Sequence, residues 1–250
     1  MRTPLALGLL AAGVCLAPRC SLAADDSRWP PFLPARDSVP DAALVEHVWG
    51  HETFRRTLSP PPLDVPLVLY AALIDAPDVL AAAAARRGLS TETAARRADG
   101  SYEFRSPKGS RAVYRVLVSE PDRRVVLSHG HLVVVGLKVA GSVLGVLELQ
   151  DREEGLRQRL TVHARLDNTV WAFLMKFLLA LMPALADEQL SRGFRIAGAI
   201  ATWARHDRDE FCAWLGGSGI EAPRVAFATG CPDEDRQRDA SPWTITPPIE

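Results

Sequence analysis

"GLRQRLTVHARLDNTVWAFLMKFLLALMPALADEQL", residues 155–190, joins a strand pattern directly to a helix pattern, so it limits the folds open to this chain. In its first part, polarity alternates with a period of two. The residues of one face are Leu156, Leu160, Val162, Ala164 and Leu166, and those of the other are Arg157, Arg159, Thr161, His163 and Arg165. This alternation predicts a half-buried antiparallel strand whose basic side faces water.

The second part is the most apolar segment outside the first twenty residues, and three environments are open to it. Asn168 suits the N-cap of a helix that runs through residues 171–190. A transmembrane span is disfavoured, because Lys176 lies near its centre and Pro183 interrupts it. We expect a helix buried by protein and bent at Pro183, and contact with a membrane surface stays open as the alternative.

Upstream, the pattern changes from helices to strands. Residues 51–59 suit a first strand, and residues 65–88 predict two consecutive helices separated at Pro77. From residue 101 the period is two, and strand-like segments lie within 101–106, 111–120, 123–135, 136–150 and 155–166. Strands in succession followed by one long helix predict an α+β fold, not alternating βα units.

The chain divides into four predicted parts. Residues 1–24 combine Arg2, an apolar core and a small-residue site, as secretory signal peptides do, although a retained anchor is the alternative. Residues 25–45 form a proline-rich leader, residues 46–215 the folded domain, and residues 216–250 an irregular tail. We therefore expect an exported protein, periplasmic or secreted, in which Cys212 and Cys231 are free to form a disulfide. Cys212 as a buried small side chain is the alternative.

Two stretches resemble the START-like, polyketide cyclase-like superfamily, also called SRPBCC, which has the helix-grip fold. "PPLDVPLVLYAALIDAPD", residues 61–78, is similar to the family's first-helix signature, with Tyr70, Leu73 and Asp75 in the characteristic places. Residues 160–204 look like the last strand, the Asn cap and the terminal helix, with Thr169 where the family often has proline. The resemblance covers Val48 to Arg205.

This resemblance implies a curled antiparallel sheet wrapped around the terminal helix, two short helices after the first strand, and an apolar cavity between them. Such proteins bind lipids, sterols or aromatic polyketides, and some are cyclases, but no catalytic residue is common to all. We expect a non-catalytic protein that binds a lipid-like or polycyclic molecule and needs no cofactor. The predicted ligand-binding residues are Tyr70, Tyr114, His129, His131, Leu160, Val162, Trp171, Met175 and Leu178.

Other chemistries find less support. The net charge of −1 disfavours nucleic acid as a partner, because such binding neutralises phosphates. His129 and His131 have the spacing of strand-borne metal ligands, but no third ligand is indicated, so no metal site is predicted. Two alternatives remain: an enzyme of the same fold that uses one of these histidines as general base, and a structural envelope protein without a ligand. A peripheral contact with membrane lipid stays open as a further interaction.

Overall fold

The structure, a computed structural model, describes residues 29–134, 137–168 and 183–220 together with Cys231. Its helices are α1 (Ala42–Gly50), α2 (Leu67–Asp75), α3 (Pro77–Arg86), α4 (Pro183–His206) and α5 (Arg208–Gly217). Its strands are β1 (Phe54–Leu58), β2 (Thr93–Arg96), β3 (Tyr102–Arg105), β4 (Arg111–Glu120), β5 (Arg123–Val134), β6 (Leu137–Arg152) and β7 (Gly155–Leu166).

The described strands form one curled antiparallel sheet of seven strands in the order β1-β7-β6-β5-β4-β3-β2. β1 and β2 follow each other in the sequence but lie at opposite edges of the sheet. The connection between them carries α2 and α3, so these helices cross the sheet from one edge to the other. Apart from the β5–β6 connection, which lies outside the described residues, the strands from β2 to β7 are joined by short turns, as their hairpin spacing predicts.

The predicted fold class is confirmed: the chain is α+β, with a helix-grip arrangement of a curled antiparallel sheet and a C-terminal helix. The first strand, the two helices after it and all five later strand segments are present. β2 and α5 are among the described elements that were not predicted. β2 has the sequence Thr-Ala-Ala-Arg, which lacks an alternating apolar pattern, and α5 follows α4 after a break at Asp207.

α2, α3 and α4 cover one end of the inner face of the sheet. The core there includes Tyr70, Leu73, Val79, Leu147, Leu149, Leu156, Phe194 and Ile200. Gln158 lies on the same face, opposite Leu149, and is only 3% exposed. Neither polar atom of its amide has a hydrogen-bond partner. Burial of an amide without hydrogen bonds is unfavourable, so the Gln158 side chain lowers the stability of this end of the core.

The outer face is covered too, which corrects the prediction for β7. Arg157 and Arg159 are exposed as predicted, but His163 is only 2% exposed. The ring of Trp49, from α1, lies 4.8 Å from the His163 ring, and Phe32 lies 6.4 Å from it. The Nδ1 atom of His163 shares a hydrogen bond of 2.7 Å with a carboxylate oxygen of Glu52. Alternation identified the two faces of β7 correctly but carries no information on what packs against either face.

This outer cover begins within the predicted leader. Leu33 and Val39 are buried with Val45 and Val48 of α1 against the outer side of β5 and β6. The proposed domain boundary at residue 46 therefore falls inside α1 (Ala42–Gly50). The segment from residue 29 onwards is packed against the sheet because it supplies apolar side chains between its prolines.

At the C-terminal end, Cys212 of α5 forms a disulfide with Cys231, with the two Cα atoms 5.4 Å apart. The described part of the terminal helix starts at Pro183, so the bend predicted there and the apolar segment 171–182 lie outside the described residues. Within the described ranges, no single helix is long and apolar enough to cross a membrane. α2 and α3 reach that length and apolar character only when they are taken together, and their axes differ in direction by 98°.

Candidate functional site

The candidate site is the part of the inner face that the described helices leave uncovered. The strand register brings five apolar side chains together there, which we call the apolar floor: Tyr114, Val116, Val126, Val143 and Leu160. All five are half-buried. Side chains inside a fully packed core are buried, so the described residues leave these five side chains only partly covered.

A glycine, Gly145, lies at the centre of the floor. Gly145 pairs with Val126 on β5 and with Val162 on β7. A Cβ atom at Gly145 would lie 3.1 Å from a methyl group of Val126 and 3.7 Å from one of Leu160. An added side chain would therefore crowd Val126, and glycine at this position leaves the centre of the floor without a side chain.

A buried ion pair closes the floor on the side of α2. The Nε and Nη2 atoms of Arg124 donate hydrogen bonds of 2.7 and 2.8 Å to the two carboxylate oxygens of Asp75, and the Ser119 hydroxyl adds one of 3.2 Å. The Tyr102 hydroxyl donates to the Asp75 carbonyl over 3.3 Å. The two charges are matched, so this end of the floor presents little net charge.

Tyr114 supplies a polar group within the floor. Its ring lies 5.8 Å from Phe104 and 6.5 Å from Tyr102, each in an edge-on arrangement. Burial raises the pKa of Tyr114 well above its usual range, and the nearby negative charge of Asp75 adds to the effect. The hydroxyl therefore stays protonated and can donate a hydrogen bond at any physiological pH.

Of the predicted ligand-binding residues, Tyr114 and Leu160 lie in the floor, and Val162 lies beside it in a buried position. Tyr70 is elsewhere, packed in the core under the helices, where burial raises its pKa. Trp171, Met175 and Leu178 lie outside the described residues.

The prediction for His129 and His131 needs correction. His129 pairs with Ser142 and His131 with Ala140, which places both histidines on the outer face. Their even-numbered neighbours on β5, such as Val126 and Ser128, point inward instead. His129 is exposed, and the ring of His131 bonds to the carbonyl of Gly109 over 3.0 Å. Neither histidine can contact a molecule on the floor.

The sequence alone did not indicate Val116, Val126, Val143 or the Asp75–Arg124 pair as members of the site. The pairing register identifies them. Val143 is linked to Tyr114 through Ser128, Arg124 is linked to Leu160 through Leu147, and Val116 lies opposite Val126 in the row between them. The register depends on a shift between Val116 and Val118 in β4, which changes the face that each later residue occupies.

The residues that the structure describes contain no group of three or more His, Cys, Asp or Glu able to hold a metal ion. A comparison with protein-family profiles finds no match, and a comparison with curated protein sequences finds none either.

Several solved structures are similar in fold. A conserved protein from Geobacillus kaustophilus is 13% identical, with a TM-score of 0.44 over 60% of this chain and 95% of its own. Ara h 8.0201 is 9% identical, with a TM-score of 0.41 over 60% and 98%. The di-domain ARO/CYC BexL of the BE-7585A biosynthetic pathway is 16% identical, with a TM-score of 0.39 over 63% and 52%. The helix-grip assignment itself rests on the strand order and helix positions described above.

Proposed function

We propose that this protein binds an apolar small molecule on the apolar floor without catalysing a reaction. The observation that supports this most is the half-buried state of five apolar side chains on the inner face of the curled sheet. Sites for small molecules are concave and mostly apolar, with a few polar groups that orient the ligand. The floor with the Tyr114 hydroxyl has this composition.

The dimensions of the floor suit a lipid-like or polycyclic ligand. The floor extends over four neighbouring strands, β4 to β7, whose three spacings of about 4.8 Å make about 14 Å across the sheet. Along β7, the five residues from Leu160 to Ala164 cover about 13 Å. The ligand should be uncharged where it meets the ion pair, because the guanidinium of Arg124 is already engaged by Asp75. Tyr114 would donate to a hydroxyl or carbonyl oxygen of the ligand.

The enzyme alternative is not proposed, since it used His129 or His131 as general base and both lie on the outer face. Export is proposed on two grounds: the signal-like residues 1–24 and the Cys212–Cys231 disulfide, a bond that persists mainly in oxidising compartments.

Binding can be tested with N-phenyl-1-naphthylamine, a neutral probe that fluoresces in apolar surroundings. Val143→Trp fills the floor, and Val113→Trp is its matched control, because Val113 is a half-buried valine on the outer face of β4. We expect saturable binding to the parent protein, a Kd raised at least about tenfold in Val143→Trp, and a change below about twofold in Val113→Trp. Native mass spectrometry should also detect a small molecule that remains bound to the parent protein. Absence of saturable binding, or equal loss in both variants, would contradict the proposal.

A further inference from the structure

The hairpin of β5 and β6 projects beyond the rest of the sheet. β7 ends at Leu166, opposite Gly141, and β4 begins at Arg111, opposite His131. β5 and β6 continue to pair past these points through Leu132 with Val139 and Val133 with Lys138. Three further residues per strand correspond to about 10 Å. We call Leu132, Val133, Leu137, Lys138 and Val139 the hairpin tip.

One side of the hairpin tip is apolar and faces water. Leu132 is 59% exposed and Leu137 is 49% exposed, and both are on the inner side, next to Val139. A single exposed leucine is ordinary on a protein surface, but two on the same side of a projecting hairpin form a patch. Contact with another apolar phase would remove this patch from water.

Basic side chains accompany the patch. Lys138 lies on the hairpin, and Lys108 lies in the β3–β4 turn, which is held against β5 by a 2.9 Å bond from the Val133 amide to the Ser110 hydroxyl. Neither lysine forms an ion pair within the described part of the chain, and both are exposed. Glu103, an acid on the neighbouring strand, is engaged by Arg105 and Arg111.

We propose that the hairpin tip docks on an anionic lipid bilayer. The two leucines would enter the acyl-chain boundary, and the two lysines would reach the charged headgroups along their apolar stems. The composition favours lipid over a protein partner, because lysine is depleted and aromatic residues and arginine are enriched in protein interfaces. The inner side of the tip continues past Gly130 and Gly141 to Val143, so a docked tip brings the apolar floor close to the bilayer.

Docking does not depend on ligand binding by the floor, and the two can be tested separately. We would attach an environment-sensitive fluorophore at Leu137→Cys in the full chain. Cys15→Ser and Cys20→Ser leave the introduced thiol as the reactive one, since Cys212 and Cys231 are bonded to each other. The control label is Asp122→Cys, an exposed position just before β5 and twelve residues from Val134, the partner of Leu137, which is about 40 Å along the strand. The control also corrects for any membrane contact by residues 1–24, which affects both labelled proteins.

With vesicles that contain equal parts of phosphatidylglycerol and phosphatidylcholine, we expect a blue shift from the label at position 137 and none at position 122. Lys108→Glu with Lys138→Glu should raise the lipid concentration for half-maximal shift by about tenfold or more. Arg157→Glu with Arg159→Glu, an equal charge change on exposed outer-face residues, should alter it less than about twofold.

Four results would overturn the proposal. They are no shift at position 137, an equal shift at position 122, an equal response to pure phosphatidylcholine, and a shift without vesicles that grows with protein concentration. The last would assign the hairpin tip to contact with a second copy of the chain. The thermal melts of all labelled and charge-changed proteins should match one another, because every changed side chain in the described part of the chain is exposed.

Discussion

Asp75 and Arg124 are joined by two parallel hydrogen bonds of 2.7 and 2.8 Å, although 49 residues separate them in the sequence. Asp75 is the last residue of α2, and Arg124 lies on the inner face of β5. Arg124 also donates to the carbonyls of Glu120 and Arg123, so each of the three guanidinium nitrogens donates at least one hydrogen bond. The pair therefore fixes the end of α2 on the sheet and sets the boundary of the apolar floor.

Removing one partner of this pair should destabilise the fold more than removing both. We expect Arg124→Met to lower the free energy of unfolding by about 2–3 kcal/mol, below the full cost of a buried pair because Asp75 is partly exposed. Asp75→Leu combined with Arg124→Met should recover at least half of the loss. Chemical denaturation measures both. Arg159→Met, which removes an exposed ion pair to Glu148 at 3.8 Å, is the control and should cost less than about 1 kcal/mol. Equal losses for Arg124→Met and Arg159→Met would contradict the prediction.

The cover of the outer face by α1 predicts a strong position effect within that helix. Val48 is fully buried against the sheet, whereas His47 beside it is exposed. Val48→Asp would place a carboxylate among apolar side chains and should cost about 3–5 kcal/mol, while His47→Asp should stay within about 0.5 kcal/mol. Thermal melts distinguish the two. A Val48→Asp melt like that of the parent would mean that α1 does not pack on the sheet.

The lowered pKa of Asp99 predicts that the folded protein loses stability in acid. The hydroxyl and the amide of Ser101 donate to its carboxylate, and Arg115 approaches it to 2.7 Å, so its pKa falls from 3.8 to about 2. A carboxyl with a lowered pKa in the folded state stabilises the fold above its unfolded pKa and ceases to do so as the pH falls through the folded value. Asp99→Asn should therefore melt below the parent at pH 7, and the difference should close between about pH 4 and pH 2. A difference that is constant with pH would exclude this cause.

The buried amide of Gln158 predicts that an apolar residue at this position would stabilise the protein. Its amide is buried without a hydrogen-bond partner, so Gln158→Met should raise the free energy of unfolding by about 1–3 kcal/mol. Gln150→Met, at an exposed position on β6, is the matched control and should change it by less than about 0.5 kcal/mol. A destabilised Gln158→Met protein, measured by chemical denaturation, would indicate that the amide holds a bound water or a ligand atom.

The elements with a clear period were predictable from the sequence, and their surroundings were not. β7 alternates so regularly that its two faces follow from the sequence alone. The burial of His163 does not follow, because Phe32 and Trp49, which pack against it, lie 131 and 114 residues earlier in the chain. Local patterns define a side-chain direction, whereas burial depends on which distant segment packs there.

In the candidate site, too, only some of the residue positions could be predicted from the sequence. Leu160 and Tyr114, two of the predicted ligand-binding residues, lie on the inner face of the sheet in the apolar floor. His129 and His131 were assigned to the same surface, but β5 turns them outward, since a difference of one residue in register reverses every side chain of a strand. β5 is apolar on both sides over much of its length, so its sequence does not tell which side faces inward.

The disulfide between Cys212 and Cys231 encloses 18 residues of chain in a covalent ring attached to α5. A protease that cuts once within this ring leaves both fragments joined through the two sulfur atoms. The last part of the chain would then stay attached to the domain after a cut that would release it from an open chain. Gel electrophoresis of the nicked protein with and without a reductant would separate these states, and only the reduced sample would yield the free fragment.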